Sequence, residues 1–138
     1  MKHKILIVED EPELLHMLGL RAQFYNYSCV LEQVGDQCVE KALLHQPDVI
    51  LLDLNLPRIS GLGLIRELKK NPKLAKIPIV VFSALHQTEI VREALDIGAN
   101  AYYTKSGNMK ELFKLIGEYV QEYVESEKDK DTTHQPSA

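Results

Sequence analysis

The chain reads as a three-layer α/β domain: a five-stranded parallel sheet of order 2-1-3-4-5 with five helices. Three observations predict it. Val49-Ile50-Leu51-Leu52 and Ile79-Val80-Val81-Phe82 are apolar without polar alternation, the pattern of strands buried on both faces. Helical apolar spacing follows each strand, and a strand–helix alternation repeated five times implies βαβ units and a sheet covered on both sides. For an open sheet of five such strands, precedent gives the order 2-1-3-4-5.

Each element has its own signal. Residues 5–8 form the first strand, which stops at Glu9-Asp10-Glu11. Pro12 suits a first helical position, and Leu14, Leu15, Leu18, Ala22 and Tyr25 recur at helical spacing until Asn26. Residues 28–31 predict a second, shorter strand. Asp36 is expected to cap a helix ending at about His45, with Cys38, Val39, Ala42 and Leu43 inward and Pro47 beyond it. The strand at 49–52 ends at Asp53, and Pro57 forbids further pairing. Ser60 caps a helix over 61–70 that buries Leu64, Ile65 and Leu68 and stops at Asn71-Pro72. The strand at 79–82 ends at Ser83. Thr88 starts a helix with Val91, Ala94 and Leu95 inward, and Gly98 fits the left-handed residue after it. Residues 101–103 make a short fifth strand, with Lys105 just past its end. Asn108 and Glu111 are the Asn version of a capping box. They open a last helix striped by Leu112, Phe113, Ile116, Tyr119, Val120 and Tyr123. From Ser126 the chain is polar and aperiodic, so a domain is expected over 1–125 and a disordered polar tail over 126–138.

Composition narrows the function. A chain of 138 residues, 45% apolar and 26% charged, is that of one ordinary globular domain. Net charge is −4 with no basic run, which argues against direct nucleic-acid binding. The apolar run at 5–8 is far too short for a signal peptide, and no segment approaches membrane-spanning length. A cytoplasmic protein without membrane insertion is expected. Cys29 and Cys38 have neither CxxC nor zinc spacing and read as reduced core thiols.

The residues that end the strands carry the chemistry. Glu9 and Asp10 follow strand one, Asp53 strand three, Ser83 strand four and Lys105 strand five. Parallel strands bring all of them to one edge, and the three carboxylates converge where strand order reverses. Each has a plainer reading: Asp53 as a turn residue, the Glu9–Glu11 run as favourable charge at a helix start, Ser83 as a turn hydroxyl. Together they make a site for a phosphoryl oxyanion. Clustered carboxylates repel unless a cation sits among them, and magnesium, a hard ion that takes oxygen ligands, fits best. Manganese is the alternative.

Four segments, ILIVEDE, PDVILLDLNLPRISG, PIVVFSA and GANAYYTKS, occur in an order and spacing that resembles the CheY-like receiver domains of two-component response regulators. The resemblance covers residues 3 to 125 and implies a flavodoxin-like fold. It implies that Asp53 is the phosphoacceptor, that Glu9 and Asp10 are the acidic metal pair, and that Asn55 adds its backbone carbonyl to the magnesium. Ser83 would be the switch hydroxyl, Lys105 the phosphate-pairing lysine and Tyr102 the switch aromatic, although Tyr103 next door competes for that role and either tyrosine could be core. Asn55 and Leu85 would flank the water that later attacks the phosphoryl group. The chain departs from the pattern in having Glu9 for Asp, Ser60 for Asp and Ser106 where proline often follows the lysine. A trans Lys105–Ser106 bond is expected, because a non-proline cis peptide costs about 2.5–4 kcal/mol.

The implied function is a single-domain phosphorylation switch, not an enzyme beyond its own phosphorylation and slow dephosphorylation. A phosphohistidine of a sensor kinase or a phosphotransfer protein would be the donor. Output would run through the helix 4–strand 5–helix 5 surface to a downstream protein, with a homodimer through that face as one form, since 126–138 is too short to fold. An aspartyl-phosphate phosphatase would need a proton donor at Asn55. A flavin binder would need a phosphate-cradling loop where Glu9-Asp10-Glu11 stands. A pseudo-receiver scaffold would not keep Asp53, Asp10, Ser83 and Lys105.

Overall fold

The computed structural model describes residues 2–134, with side chains to Glu127. Five strands, β1 (His3–Val8), β2 (Tyr27–Glu32), β3 (Val49–Leu52), β4 (Ile79–Ser83) and β5 (Ala101–Thr104), form one sheet. All pairings are parallel, in the order β2-β1-β3-β4-β5. The helices are α1 (Pro12–Phe24), α2 (Cys38–His45), α3 (Gly61–Lys70), α4 (Thr88–Asp96) and α5 (Met109–His134).

Strand alternation sorts the apolar residues into two layers. Leu6, Val8, Ile50, Leu52, Ile79 and Val81 face Cys38, Ala42, Leu64, Ile65, Leu68 and Ala94 of α2, α3 and α4. Ile5, Ile7, Val49, Leu51, Val80 and Phe82 face Leu15, Leu18, Ala22, Leu112, Phe113 and Ile116 of α1 and α5. All four residues of β3 are buried, as the unbroken apolar run requires.

Helix ends follow local chemistry. Pro12 begins α1, and Asn26 (φ 70°) turns the chain left-handed after it. Ser60 Oγ accepts the Gly63 N–H at 3.2 Å, capping α3. Asn108 Oδ1 accepts the Lys110 N–H at 2.7 Å, but the second half of the expected capping box is redirected. Glu111 takes the Tyr103 hydroxyl at 3.3 Å instead.

Three expectations are corrected. Asp36 does not cap α2: residues Gly35–Gln37 form a 3-10 turn, and α2 begins at Cys38 without a side-chain cap. That turn is set by packing, because Gly35 lies so close to the β3–α3 loop that a Cβ there would meet Ile59 Cγ2 at 2.4 Å. Leu43 and Leu95 lie at the edge of their helical stripes and are 36% and 43% exposed, with the inner contacts made by Ile90 and Ala94 of α4 and by Ile97 just past its end. On α4 the Glu93 carboxylate pairs with Arg66 of α3 at 2.9 Å. The tail expected from Ser126 is helical to His134. Glu and Lys are good helix formers, and adding residues to an anchored helix avoids the nucleation cost. The rest of the expected tail, 135–138, lies outside the described residues.

Candidate functional site

The site lies at the carboxyl edge of the sheet, where β1 and β3 are adjacent and their connections leave in opposite directions. Val8 pairs with Leu52, so the next residues, Glu9 and Asp53, emerge side by side. The Asp53 N–H donates to the Val8 carbonyl at 3.1 Å, and the Glu9 N–H to the Glu32 carbonyl at 3.0 Å. These ladder bonds fix both backbones before any side chain is placed.

The loop after β3 holds Asp53 in position. Its Oδ1 accepts the Asn55 N–H at 3.0 Å, closing an Asx turn. Leu54 and Leu56 are buried beneath that turn. Gly61, which opens α3, lies directly on Leu54, and a Cβ there would come within 2.4 Å of Leu54 Cα and 2.7 Å of its carbonyl oxygen. Any side chain at 61 would displace the loop that carries Asp53.

Three carboxylates and one ammonium meet here. Glu9 is 1% and Asp53 3% exposed, and Asp10 is half-buried beside them. One ligand oxygen from each of Glu9, Asp10 and Asp53 falls within a 4.8 Å cluster. Lys105 Nζ donates to Asp53 Oδ2 at 2.9 Å and lies 2.9 Å from Glu9 Oε1. The contact with Glu9 has ion-pair distance but not hydrogen-bond direction, so this buried oxygen keeps an unmet acceptor. Burial pushes the Glu9 carboxyl up to about 7, with the Asp53 charge adding to it. Lys105 and the Glu11 N–H, 3.2 Å from Oε2, pull the other way. Burial works against the Lys105 ammonium, yet its hydrogen bond to Asp53, its close contact with Glu9 and the charges of both outweigh that and raise it.

These residues fit a small divalent cation. The donors are hard oxygens, they converge, and the orphaned Glu9 Oε1 is an acceptor that lacks a directed donor. The Asx turn keeps the Asn55 N–H on Asp53, beside the cluster.

Ser83, fully buried at the end of β4, accepts the Leu85 N–H at 3.3 Å. Tyr102 and Tyr103 lie on opposite faces of β5, as strand alternation demands. Tyr102 packs with the α2–α4 layer and Tyr103 with the α1–α5 layer. The Tyr102 hydroxyl donates to the Leu85 carbonyl at 2.5 Å. Burial raises its phenol, the nearby Ser83 hydroxyl offsets part of this, and the Asp53 charge adds to it. Tyr102 is thus already turned inward. The Glu9–Lys105 pairing and the Tyr102–Leu85 bond were not read from the sequence. The extra methylene that Glu9 has over Asp was the available signal for the first, and backbone carbonyl contacts leave none for the second.

The chain is similar to known proteins over most of its length. Residues 5–117 match the family model described as "Response regulator receiver domain". The transcriptional regulatory protein KdpE of Staphylococcus aureus is 40% identical over 112 residues, 81% of this chain and 47% of that protein. Response regulator Rcp1 of Synechocystis is 44% identical over 114 residues, 83% of this chain and 66% of that one. The chain thus spans about half to two-thirds of the length of these relatives. The BeF3-activated N-terminal receiver domain of Klebsiella pneumoniae RstA superposes with a TM-score of 0.78 at 28% identity, covering 85% of this chain and 97% of that domain. A CheY-like receiver domain protein from Methanospirillum hungatei superposes at 0.84, covering 91% of this chain and 99% of the other. At 22% identity that likeness speaks for the fold alone. With the order 2-1-3-4-5 and the acidic edge already in place, this chain belongs to the response regulator receiver domains of two-component signalling.

Proposed function

We propose that the chain is a phosphoryl-accepting switch with Asp53 as the acceptor. The observation that carries this is the Asp53 carboxylate, held by Lys105 at 2.9 Å at the rim of the Glu9–Asp10–Asp53 cluster. An Asp53 oxygen attacks the phosphorus of a phosphohistidine on a sensor kinase or phosphotransfer protein. The new P–O bond forms as the P–N bond to the imidazole breaks. Lys105 and the Ser83 hydroxyl stabilise the equatorial oxygens. Glu9, Asp10, Asp53 and the Asn55 carbonyl would hold magnesium or manganese, which neutralises charge on the transferring group. The domain works in the cytoplasm, where its donor presents the phosphohistidine.

The output face in this reading is α4, β5 and α5. Phosphate on Asp53 offers Ser83 a new acceptor, and only such a differential contact can shift the equilibrium of the β4–α4 loop. Leu95 faces outward beside a hollow of about 370 Å³ that Val91, Arg92 and Asp96 also line. That surface would take a downstream protein or a second copy of the domain.

Intact mass after incubation with acetyl phosphate and magnesium tests the reading. Wild type should gain one phosphoryl group and Asp53→Asn none. Equal labelling of the two, or acid-stable label on Ser83, would overturn it.

A further inference from the structure

Lys105 must reach two carboxylates from a turn that has no proline to shape it. The Lys105–Ser106 peptide is trans. Local bonds close the turn: Lys105 N–H to the Ser83 carbonyl at 3.0 Å and Gly107 N–H to the Thr104 carbonyl at 3.0 Å. The Thr104 and Ser106 hydroxyls lie 3.1 Å apart. The contact that spans the turn comes from Tyr103. Its hydroxyl donates to the Asn108 carbonyl at 2.9 Å and reaches Glu111 Oε2 at 3.3 Å, tying β5 to the first turn of α5.

The Tyr103 ring also fills the space over Gly107. A Cβ at 107 would stand 2.2 Å from Tyr103 Cε1 and 2.8 Å from its hydroxyl oxygen. Gly107 does not have a left-handed φ, so backbone conformation is not what calls for glycine there. The ring is. Phe82 of β4 supports Tyr103, with centroids 6.5 Å apart. Tyr103 is two residues before Lys105 and Gly107 two after, so this contact brackets the lysine on both sides.

We propose that Tyr103 is a positioning residue for phosphoryl transfer. Its ring over Gly107 and its hydroxyl on the Asn108 carbonyl set the turn that aims Lys105 at Asp53. The role rests on Asp53 being the acceptor, but the geometry it sets exists before any phosphate arrives.

The experiment uses Tyr103→Phe, which keeps the ring and drops the hydroxyl, and Gly107→Ala, which pushes the ring aside. Neither residue touches the carboxylate cluster. The first readout is the NMR signal of the Lys105 ammonium, assigned by its loss in Lys105→Arg. It should be protected from solvent exchange in wild type and lose that protection in both variants. The second is labelling by acetyl phosphate, which should fall roughly fivefold, the effect of one neutral hydrogen bond. Magnesium affinity should not fall, since the metal ligands follow β1 and β3 and a released Lys105 only ceases to compete for Glu9 and Asp53. Unchanged Lys105 protection in both variants would overturn the proposal, as would an equal loss of magnesium affinity, which marks general loosening of the site. If the Lys105 signal responds but wild type takes no label, the positioning stands and the phosphoacceptor reading fails.

Discussion

The Tyr102 hydroxyl donates to the Leu85 carbonyl at 2.5 Å, tying β5 to the loop between β4 and α4. The same loop starts at Ser83, whose hydroxyl accepts the Leu85 N–H. Leu85 therefore carries both groups through which the loop senses the strands beside it. Tyr102→Phe should loosen the loop without touching the acceptor. Labelling of Asp53 should stay within about twofold, while amide protection over 84–90 should fall by roughly fivefold, the effect of one hydrogen bond. Protection unchanged in that variant would make Tyr102 a core residue only.

Lys105 occupies the space between Glu9 and Asp53 as a cation would. Removing it and removing a carboxylate should therefore act in opposite directions on metal binding. Magnesium affinity in Asp10→Asn should fall by at least about tenfold, or about 1.4 kcal/mol. In Lys105→Met it should rise, even though labelling by acetyl phosphate drops. Isothermal titration of the three proteins separates these cases. Unaltered affinity in Asp10→Asn would leave the acidic cluster as helix-end charge.

Leu85 is expected to lengthen the life of a phosphoryl group on Asp53. Its side chain packs against the α2–α4 layer and has no group that can orient water. Hydrolysis of phosphorylated Leu85→Glu should be faster than in wild type, by about tenfold if the carboxylate orients the attacking water. Urea unfolding of the variant controls for lost packing. An equal or slower rate would show that access at this position does not limit the reaction.

Cys38 gives a pH dependence remote from the site. Its thiol is fully buried, and burial, with the charges of Glu32 and Glu67, pushes it up to about 12 from 9.0. A thiol raised in the folded state leaves stability intact below 9.0 and erodes it as pH climbs from there toward 12, because only the unfolded chain then loses the proton. The slope from this group is about 1.4 kcal/mol per pH unit. Urea unfolding above pH 9 should therefore decline less steeply in Cys38→Ala than in wild type. Identical slopes would mean that the thiol ionises freely in the fold.

The strands and α3 were legible because their signals are local. An unbroken apolar run specifies β3, and Ser60 with its helical stripe specifies α3. The convergence of strand ends was legible because a parallel sheet delivers every one of them to one edge, so topology alone groups Glu9, Asp10, Asp53, Ser83 and Lys105. What the sequence hid depends on packing between distant segments. Asp36 has the chemistry of a cap, but Ile59 presses on Gly35 and sets a 3-10 turn. Leu95 has the polarity of a core residue, but the arc of α4 that meets the sheet is narrower than its apolar stripe. The helix beyond Ser126 has no apolar period to announce it and follows from propensity alone.

The register of β5 assigns its two tyrosines to different layers. Tyr102 pairs with Val81 and Tyr103 with Phe82. A slip of one residue reverses which face each side chain takes. It would deliver Tyr103 to the β4–α4 loop and Tyr102 to the β5–α5 turn, exchanging the two tethers while leaving both aromatic rings on the strand. The connection from Gly98 to Asn100 is therefore a segment whose length matters more than its composition. It is fixed at one end by Gly98 at φ 127° and at the other by Asn100, whose side chain accepts the Ile79 N–H at 2.9 Å. Among homologous chains, insertions and deletions should be purged from these three positions even where substitutions are tolerated.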